Sequence, residues 1–252
     1  MSPPVHSVAL FGPTGVGKTA VAIELARLLR ARGERPVAIS ADALQVYRGL
    51  EILTGVADAA QRAELEHRLV SFLPIDASFS AGEYAQLAHA EIDATLAEGR
   101  RPIVVGGTGL YLRAALADLD FEPAPPDGPS QLWSDEMRRP TLLVGLVIER
   151  EALYRQIDVR VDEMLRAGVL EEVRAAHAAG AGRATRKALG FEELLAGDID
   201  AMKRRTRNYA RRQLTWMRKL APPLLIDLGE CTPEQAGAQI CAALTDDALK
   251  RG

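Results

Sequence analysis

The chain has 252 residues, about 27.2 kDa, with 48% apolar and 26% charged residues and a formal charge of −3. This size and balance suit one folded domain, or a domain with a subdomain, and exclude a disordered or fibrous chain. No apolar run reaches the roughly 18–20 residues of a membrane span, and Met1–His6 has neither a basic nor an apolar signal region. Two cysteines, Cys231 and Cys241, and four histidines are too few for a disulfide scaffold or structural zinc. The expectation is a cytoplasmic protein with no membrane partner.

Ser7–Phe11 is a short apolar run ending at glycine, as in a buried strand. Thr19 to Arg32 follows as a helix, with Val21, Leu25, Leu28 and Leu29 at helical spacing and Gly33 as its stop. Pro36–Ser40 predicts a second strand. Ser80 with Glu83 forms a capping box for a helix whose stripe is Tyr84, Leu87, Ala88, Glu91, Ile92 and Leu96, and that helix ends at Gly99. Pro102–Val105, Thr141–Ile148 and Leu224–Leu228 are further strands. Strands separated by helix-length patterns indicate a parallel sheet with helices on both faces. Glu151 to Lys219 is expected to be helical, with pauses at Gly168, Gly180–Gly182 and Gly197, and Thr232–Pro233 opens a last helix. Residues 119–140 contain Pro123, Pro125, Pro126, Gly128, Pro129 and Pro140, which marks a linker. The division expected is therefore 1–118 as the first part of a catalytic core, 119–140 as linker, and 141–252 as completion of the core with a helical, basic portion.

Gly12, Pro13, Thr14, Gly15, Val16, Gly17, Lys18 and Thr19 fit G-x-x-x-x-G-K-[ST], directly after a strand and before a helix. Glycines let successive backbone N–H groups turn around a phosphate, and the helix start adds its positive end. Lys18 would meet the phosphate charge and the Thr19 hydroxyl would ligate Mg²⁺. The loop alone does not say which phosphate compound binds. A nucleotide-hydrolysing enzyme usually has an acid at the end of a later strand, and here Ile103 to Thr108 carries none, although small-molecule kinases can also end this strand in glycines. Asp42 lies just past the second strand, at the sheet edge where ligands gather. Taken by itself it reads first as a turn or capping aspartate.

Lys203 to Lys219 holds eight basic residues and no acidic one, so the rest of the chain carries 23 basic against 34 acidic residues. On a helix, Lys203, Arg207 and Arg211 share a face, and Ala210, Leu214, Met217 and Ala221 face the core with Trp216 at the margin. Such a stripe suits a phosphate backbone, with salt-sensitive binding. The alternative is a solvated charged face.

With these pieces in order, the sequence resembles the tRNA dimethylallyltransferases. The resemblance is carried by Gly12–Thr19, Ser40–Leu50, His67–Val70, Val105–Tyr111, Leu153–Asp162, Lys187–Leu194 and Thr206–Trp216. It implies an α/β fold of the P-loop NTPase type with a helical C-terminal portion. The activity implied is transfer of a dimethylallyl group from dimethylallyl diphosphate to the exocyclic amine of adenosine 37 in tRNA, by a monomer using Mg²⁺. The P-loop would then hold the donor's diphosphate instead of ATP. The resemblance gives Asp42 the role of general base, sets Arg160 on the diphosphate, and puts Thr108 near the adenosine; for Arg160 the bland alternative is a surface pair with Asp158 or Asp162, and for Thr108 a plain helix cap. It also implies tRNA contacts from Asp42, Ala43, Leu44, Gln45, Arg207, Arg211, Arg212, Gln213 and Trp216. His67 is expected to be structural. An extrahelical base would reach the site along aromatic or planar groups.

Three departures stand out. Ala43 replaces a usual serine, Ile52–Ala57 replaces a segment close to I-G-T-A-K-P, and the helical insertion with its N-D-x-x-R-x-x-R-A-L-E pattern is missing between Asp118 and Arg139. The chain is thus expected to be a shortened member. An adenylate isopentenyltransferase acting on free AMP, ADP or ATP, a small-molecule kinase, and a non-catalytic RNA-binding relative are the alternatives.

Overall fold

A computed structural model describes residues 7–121 and 136–249. Its centre is a six-stranded, wholly parallel sheet in the order β3-β2-β4-β1-β5-β6. The strands are β1 (Ser7–Phe11), β2 (Pro36–Ser40), β3 (His67–Arg68), β4 (Arg101–Gly106), β5 (Thr141–Val147) and β6 (Leu224–Asp227). Side chains of a strand alternate between faces, and here both faces are apolar because both are covered. Val8 and Leu10 of β1, Ile103 of β4, and Val144 and Leu146 of β5 pack under α1 (Lys18–Ala31) and α10 (Pro233–Leu249). Ala9 and Phe11, Val104, and Leu143 pack on the opposite face under α4 (Ala81–Ala97) and α5 (Gly109–Leu116).

A third core belongs to helices alone. Leu50 and Leu53 at α2 (Glu51–Thr54) meet Val161 of α6 (Arg150–Arg166), Val169 and Val173 of α7 (Val169–Ala178), Phe191 and Leu194 of α8 (Phe191–Leu195), and Met202 of α9 (Ile199–Leu220). Burying these side chains, each worth about 1.5–3 kcal/mol, fixes the helical portion as a roof over the carboxyl edge of the sheet. A short α3 (Ala59–Glu64), capped by Asp58, leads into β3. His67 Nδ1 lies 2.6 Å from the Leu65 carbonyl, a structural contact.

The capping box of Ser80 and Glu83 forms as expected, and Thr232 and Gln235 form another at the start of α10. Three expectations need correction. Leu87 is 39% exposed, because α4 has only one face on the sheet. Ala221 leaves the core: it is exposed and ends α9 in a left-handed conformation (φ 42°). Between α7 and α9 the chain is less helical than predicted, with a 3₁₀ turn at Thr185–Lys187 and a further break at Gly190 (φ 96°).

Most of the proline-rich segment expected at 119–140 lies outside the described residues. The chain on either side of it is pinned together. Arg138 donates to Asp93 of α4 (2.8 Å) and reaches Asp118 (3.4 Å), while Arg139 also bonds Asp93 (3.0 Å). These guanidinium bonds hold the Asp93 carboxyl down at about 2. No helix of the described residues is long and apolar enough to cross a membrane.

Candidate active site

The ends of β1, β2 and β4 open into one cavity of about 670 Å³, roofed by α2, α6 and α9. A crevice at the carboxyl edge of a parallel sheet is where such folds bind ligands. Thr14, Gly15, Gly17, Lys18, Thr19, Asp42, Ala43, Leu44, Gln45, Thr108, Arg160 and Gln213 all line it. The tertiary structure therefore brings together residues up to two hundred positions apart in sequence.

The loop after β1 turns through Gly15 (φ 84°) and Gly17 (φ 99°), and Gly17 is the N-cap of α1. A side chain at either position would be strained, and without one the loop amides curl around the space before α1. Lys18 Nζ donates to the carbonyls of Gly12 and Pro13, both at 2.9 Å, which holds the ammonium inside the curl. Burial, seconded by the Arg160 charge, pushes this lysine down to about 8, while Asp42 pulls the other way. Lys18 is thus a cation poised to lose its charge unless an anion joins it.

Asp42 sits two residues beyond the buried end of β2, after Ala41. Its Oδ1 accepts the backbone N–H of Leu44 at 2.9 Å, so it is a turn aspartate and also a cavity wall. Burial raises its carboxyl above the usual range, opposed by the N–H groups of Leu44 and Gln45 and by the charges of Lys18 and Arg160. A carboxylate made more basic by burial is suited to accepting a proton. Behind it the buried Tyr84 hydroxyl donates to the Ser40 carbonyl (2.9 Å) and steadies the end of β2.

Arg160 is not the surface arginine of the alternative reading. Asp158 pairs with Arg207 and Asp162 with Lys203, leaving Arg160 directed into the cavity, where the Asp42 charge is felt. Its guanidinium lies over Gly55, where a methyl group would stand 1.7 Å from Nη2, so a side chain there would push the guanidinium out of this position. Gly55 is held in turn: Gln45 Nε2 donates to the Thr54 (3.3 Å) and Gly55 (3.1 Å) carbonyls, and Gln45 Oε1 accepts from Ser40 Oγ (2.7 Å). The amides of Ile52 and Leu53 donate to the two carboxylate oxygens of Glu172, each at 2.8 Å. Glu172 lies on α7, about 120 residues away, and no local pattern announces this contact.

Gln213 is the clearest correction to the expected RNA surface. It is 4% exposed; its Oε1 accepts the Thr14 N–H and its Nε2 donates to the Gly107 carbonyl, both at 2.8 Å. Both ends of its amide are thus spent joining the P-loop to the end of β4. Arg207 is corrected as well. The acids missing from its own helix come from α6: Arg207 makes a two-pronged pair with Asp158, its ring-facing side over Tyr154 (5.7 Å), and Lys203 meets Asp162 at 2.6 Å. Arg205 likewise pairs with Glu193 of α8 (2.7 Å). The cationic surface lies further along, where Arg211, Arg212 and Arg218 are exposed and none pairs with a carboxylate among the described residues. Arg212 stacks on the Tyr209 ring (5.5 Å). Trp216 lies against Gly109, whose missing Cβ would come within 2.2 Å of the indole. Tyr209, passed over in the sequence, lines the cavity beside Thr108, one helical turn before Gln213.

Replacing Gln213 with Leu leaves two buried backbone groups unpaired, each costing about 1–3 kcal/mol. The expected result is a lower melting temperature and weaker diphosphate binding, with the salt dependence of RNA binding unchanged. Unfolding curves and binding titrations at two ionic strengths check both.

The model of the IPP transferase family matches residues 45–138 and 129–220. The chain is 35% identical to a tRNA dimethylallyltransferase of Rhodospirillum centenum, covering 91% of this chain and 94% of that one. It is 32% identical to one of Geobacillus kaustophilus, covering 87% and 89% respectively. These alignments run over 300 and 286 positions, more than the 252 residues present, so the relatives carry residues without a counterpart here. Among solved structures, a tRNA isopentenylpyrophosphate transferase of Bacillus halodurans superposes with a TM-score of 0.82 at 27% identity, covering 98% of this chain and 99% of that one. With its matched motifs, its parallel sheet and its covering relatives in agreement, the chain belongs to the tRNA dimethylallyltransferase family of prenyl-transferring enzymes.

Proposed function

We propose that this chain transfers a dimethylallyl group from dimethylallyl diphosphate to the exocyclic amine of adenosine 37 in tRNA, with its P-loop on the donor's diphosphate. The observation that carries the assignment of roles is the meeting of Lys18, Arg160 and Asp42 in one cavity at the sheet edge, near enough for each charge to act on the others. The amine nitrogen attacks the allylic carbon, the carbon–oxygen bond to diphosphate breaks, and the bonding pair leaves with the diphosphate. Lys18, Arg160 and the loop amides neutralise the charge that develops on the leaving oxygen. Asp42 takes the proton lost by the amine.

The residues present fit a magnesium ion of a particular kind. No group of three His, Cys, Asp or Glu among the described residues could form a protein cage for a metal. Thr19 lines the cavity at the start of α1, so its hydroxyl and the donor's own phosphate oxygens would hold Mg²⁺ between them. The ion would supply further charge neutralisation to the diphosphate.

The anticodon stem-loop approaches over Arg211, Arg212 and Arg218, and the target base passes Trp216 and Thr108 toward Asp42. Ala43 and Leu44 add apolar wall there, while the amide of Gln45 is engaged inside the protein.

Mass analysis of nucleosides after incubation with donor and an anticodon stem-loop tests the assignment. The expected product is isopentenyladenosine, absent with Asp42→Asn although donor binding persists; prenylation of AMP in its place would reassign the acceptor. Replacing Arg211 and Arg212 with Ala should weaken stem-loop binding severalfold and flatten its salt dependence, leaving the donor KM in place. The pH dependence has a definite sign. Because Lys18 in the free protein sits near 8, donor affinity should fall as pH rises through that value, and donor binding should take up a proton there. Because Asp42 is raised, the rate of transfer should fall with acidification already above the ordinary carboxylate range. Calorimetry in buffers of different ionisation heats and a pH–rate profile measure the two.

A further inference from the structure

Thr108 immediately precedes α5 and has the extended backbone of a helix N-cap (φ −90°, ψ 102°), yet its side chain makes no capping bond. A threonine there ordinarily turns its hydroxyl onto a helical amide. Here Thr108 Oγ1 lies 3.2 Å from Tyr209 Oη instead. The phenol is held from both sides: Arg212 lies over its ring, and Gln213 locks the next turn of α9 to Thr14 and Gly107. Both hydroxyls line the cavity that also contains Asp42.

Resting on the roles proposed for Asp42 and the target adenosine, we infer that Tyr209 is a positioning residue for the acceptor base, drawing the Thr108 hydroxyl off the helix end so that it donates to a ring nitrogen of the adenine. Either hydroxyl can donate across this contact. In the arrangement inferred, the Tyr209 O–H donates to Thr108 Oγ1, which frees the Thr108 proton for another acceptor, and the amides at the start of α5 are donors that cannot take it. The adenine edge supplies one. Its amino group donates to Asp42, and a neighbouring ring nitrogen carries a lone pair toward Thr108. Guanine presents a carbonyl where adenine has its amine, with a ring N–H beside it on the pairing edge, which opposes a donor next to a carboxylate. Burial and the nearby Asp42 charge push the Tyr209 phenol up to about 12, so it remains a donor across the working range of pH.

The test compares the full-length protein with Tyr209→Phe, Thr108→Val and the double variant on an anticodon stem-loop. Tyr209→Phe should lower kcat/KM for the RNA about tenfold, the worth of one polarised hydrogen bond, with the donor KM unchanged. The double variant should be no worse than Thr108→Val alone, and Thr108→Ser should restore most of the activity. Stem-loops carrying 1-deazaadenosine or 7-deazaadenosine give a readout that does not depend on how well Tyr209→Phe packs. On whichever substrate lacks the accepting nitrogen, the wild-type and Tyr209→Phe rates should converge. Losses that multiply in the double variant, a full tenfold gap on both deaza substrates, or unchanged RNA kinetics in Tyr209→Phe would overturn the inference. A wild-type protein unable to prenylate adenosine in any RNA would instead count against the roles on which it rests.

Discussion

Two hydrogen bonds from one buried amide join the halves of this molecule. Gln213 on α9 ties the Thr14 amide of the P-loop to the Gly107 carbonyl at the end of β4, some two hundred and one hundred residues away. A buried glutamine is stable only when both ends of its amide are satisfied, so the bond geometry fixes loop, strand end and helix together. Tyr209, Arg212 and Trp216 take their places from the same helix. The cavity is therefore a seam between a sheet and a helical roof, and its shape depends on how that seam is closed.

Within the seam the charges are held in mutual tension. Lys18 is partly withdrawn from water and feels the charge of Arg160, and both act on a carboxylate that burial makes reluctant to ionise. Arg160 also feels the charge of Glu163, which lines the same cavity, so Asp42 is not the sole acid facing the two cations. In the proposed reaction a diphosphate would engage both cations and leave Asp42 to the acceptor. The Gly55 contact shows how closely the roof meets this arrangement. Arg160 occupies the volume a side chain would need, and Glu172 and Gln45 hold the Gly55 turn beneath it.

Local patterns carried most of the fold. Alternating apolar strands, the Ser80 capping box and the Gly33 and Gly99 stops are short-range effects, governed by backbone sterics and by bonds within four residues. The loop around Lys18 was legible for the same reason. The cationic helix misled because pairing across helices leaves no local trace. Counting charges along Lys203–Lys219 suggests a bare stripe, while Asp158, Asp162 and Glu193 arrive from α6 and α8 and neutralise its first half. Gln213 and Gln45 read as polar residues available to a ligand, and became internal struts once distant backbone groups closed on them.

The amino-acid sequence by itself determined the family, the parallel sheet, and the position of the glycine-rich loop and its neighbouring acid at the sheet edge. Each of these rests on residue types at fixed short spacings, or on motifs in fixed order. Only the tertiary structure decided which cations face solvent, which polar groups are consumed in holding the seam, and that the Thr108 hydroxyl turns to Tyr209 instead of its own helix. Those outcomes depend on distances between segments far apart along the chain, and burial, not spacing, sets what each group can then do.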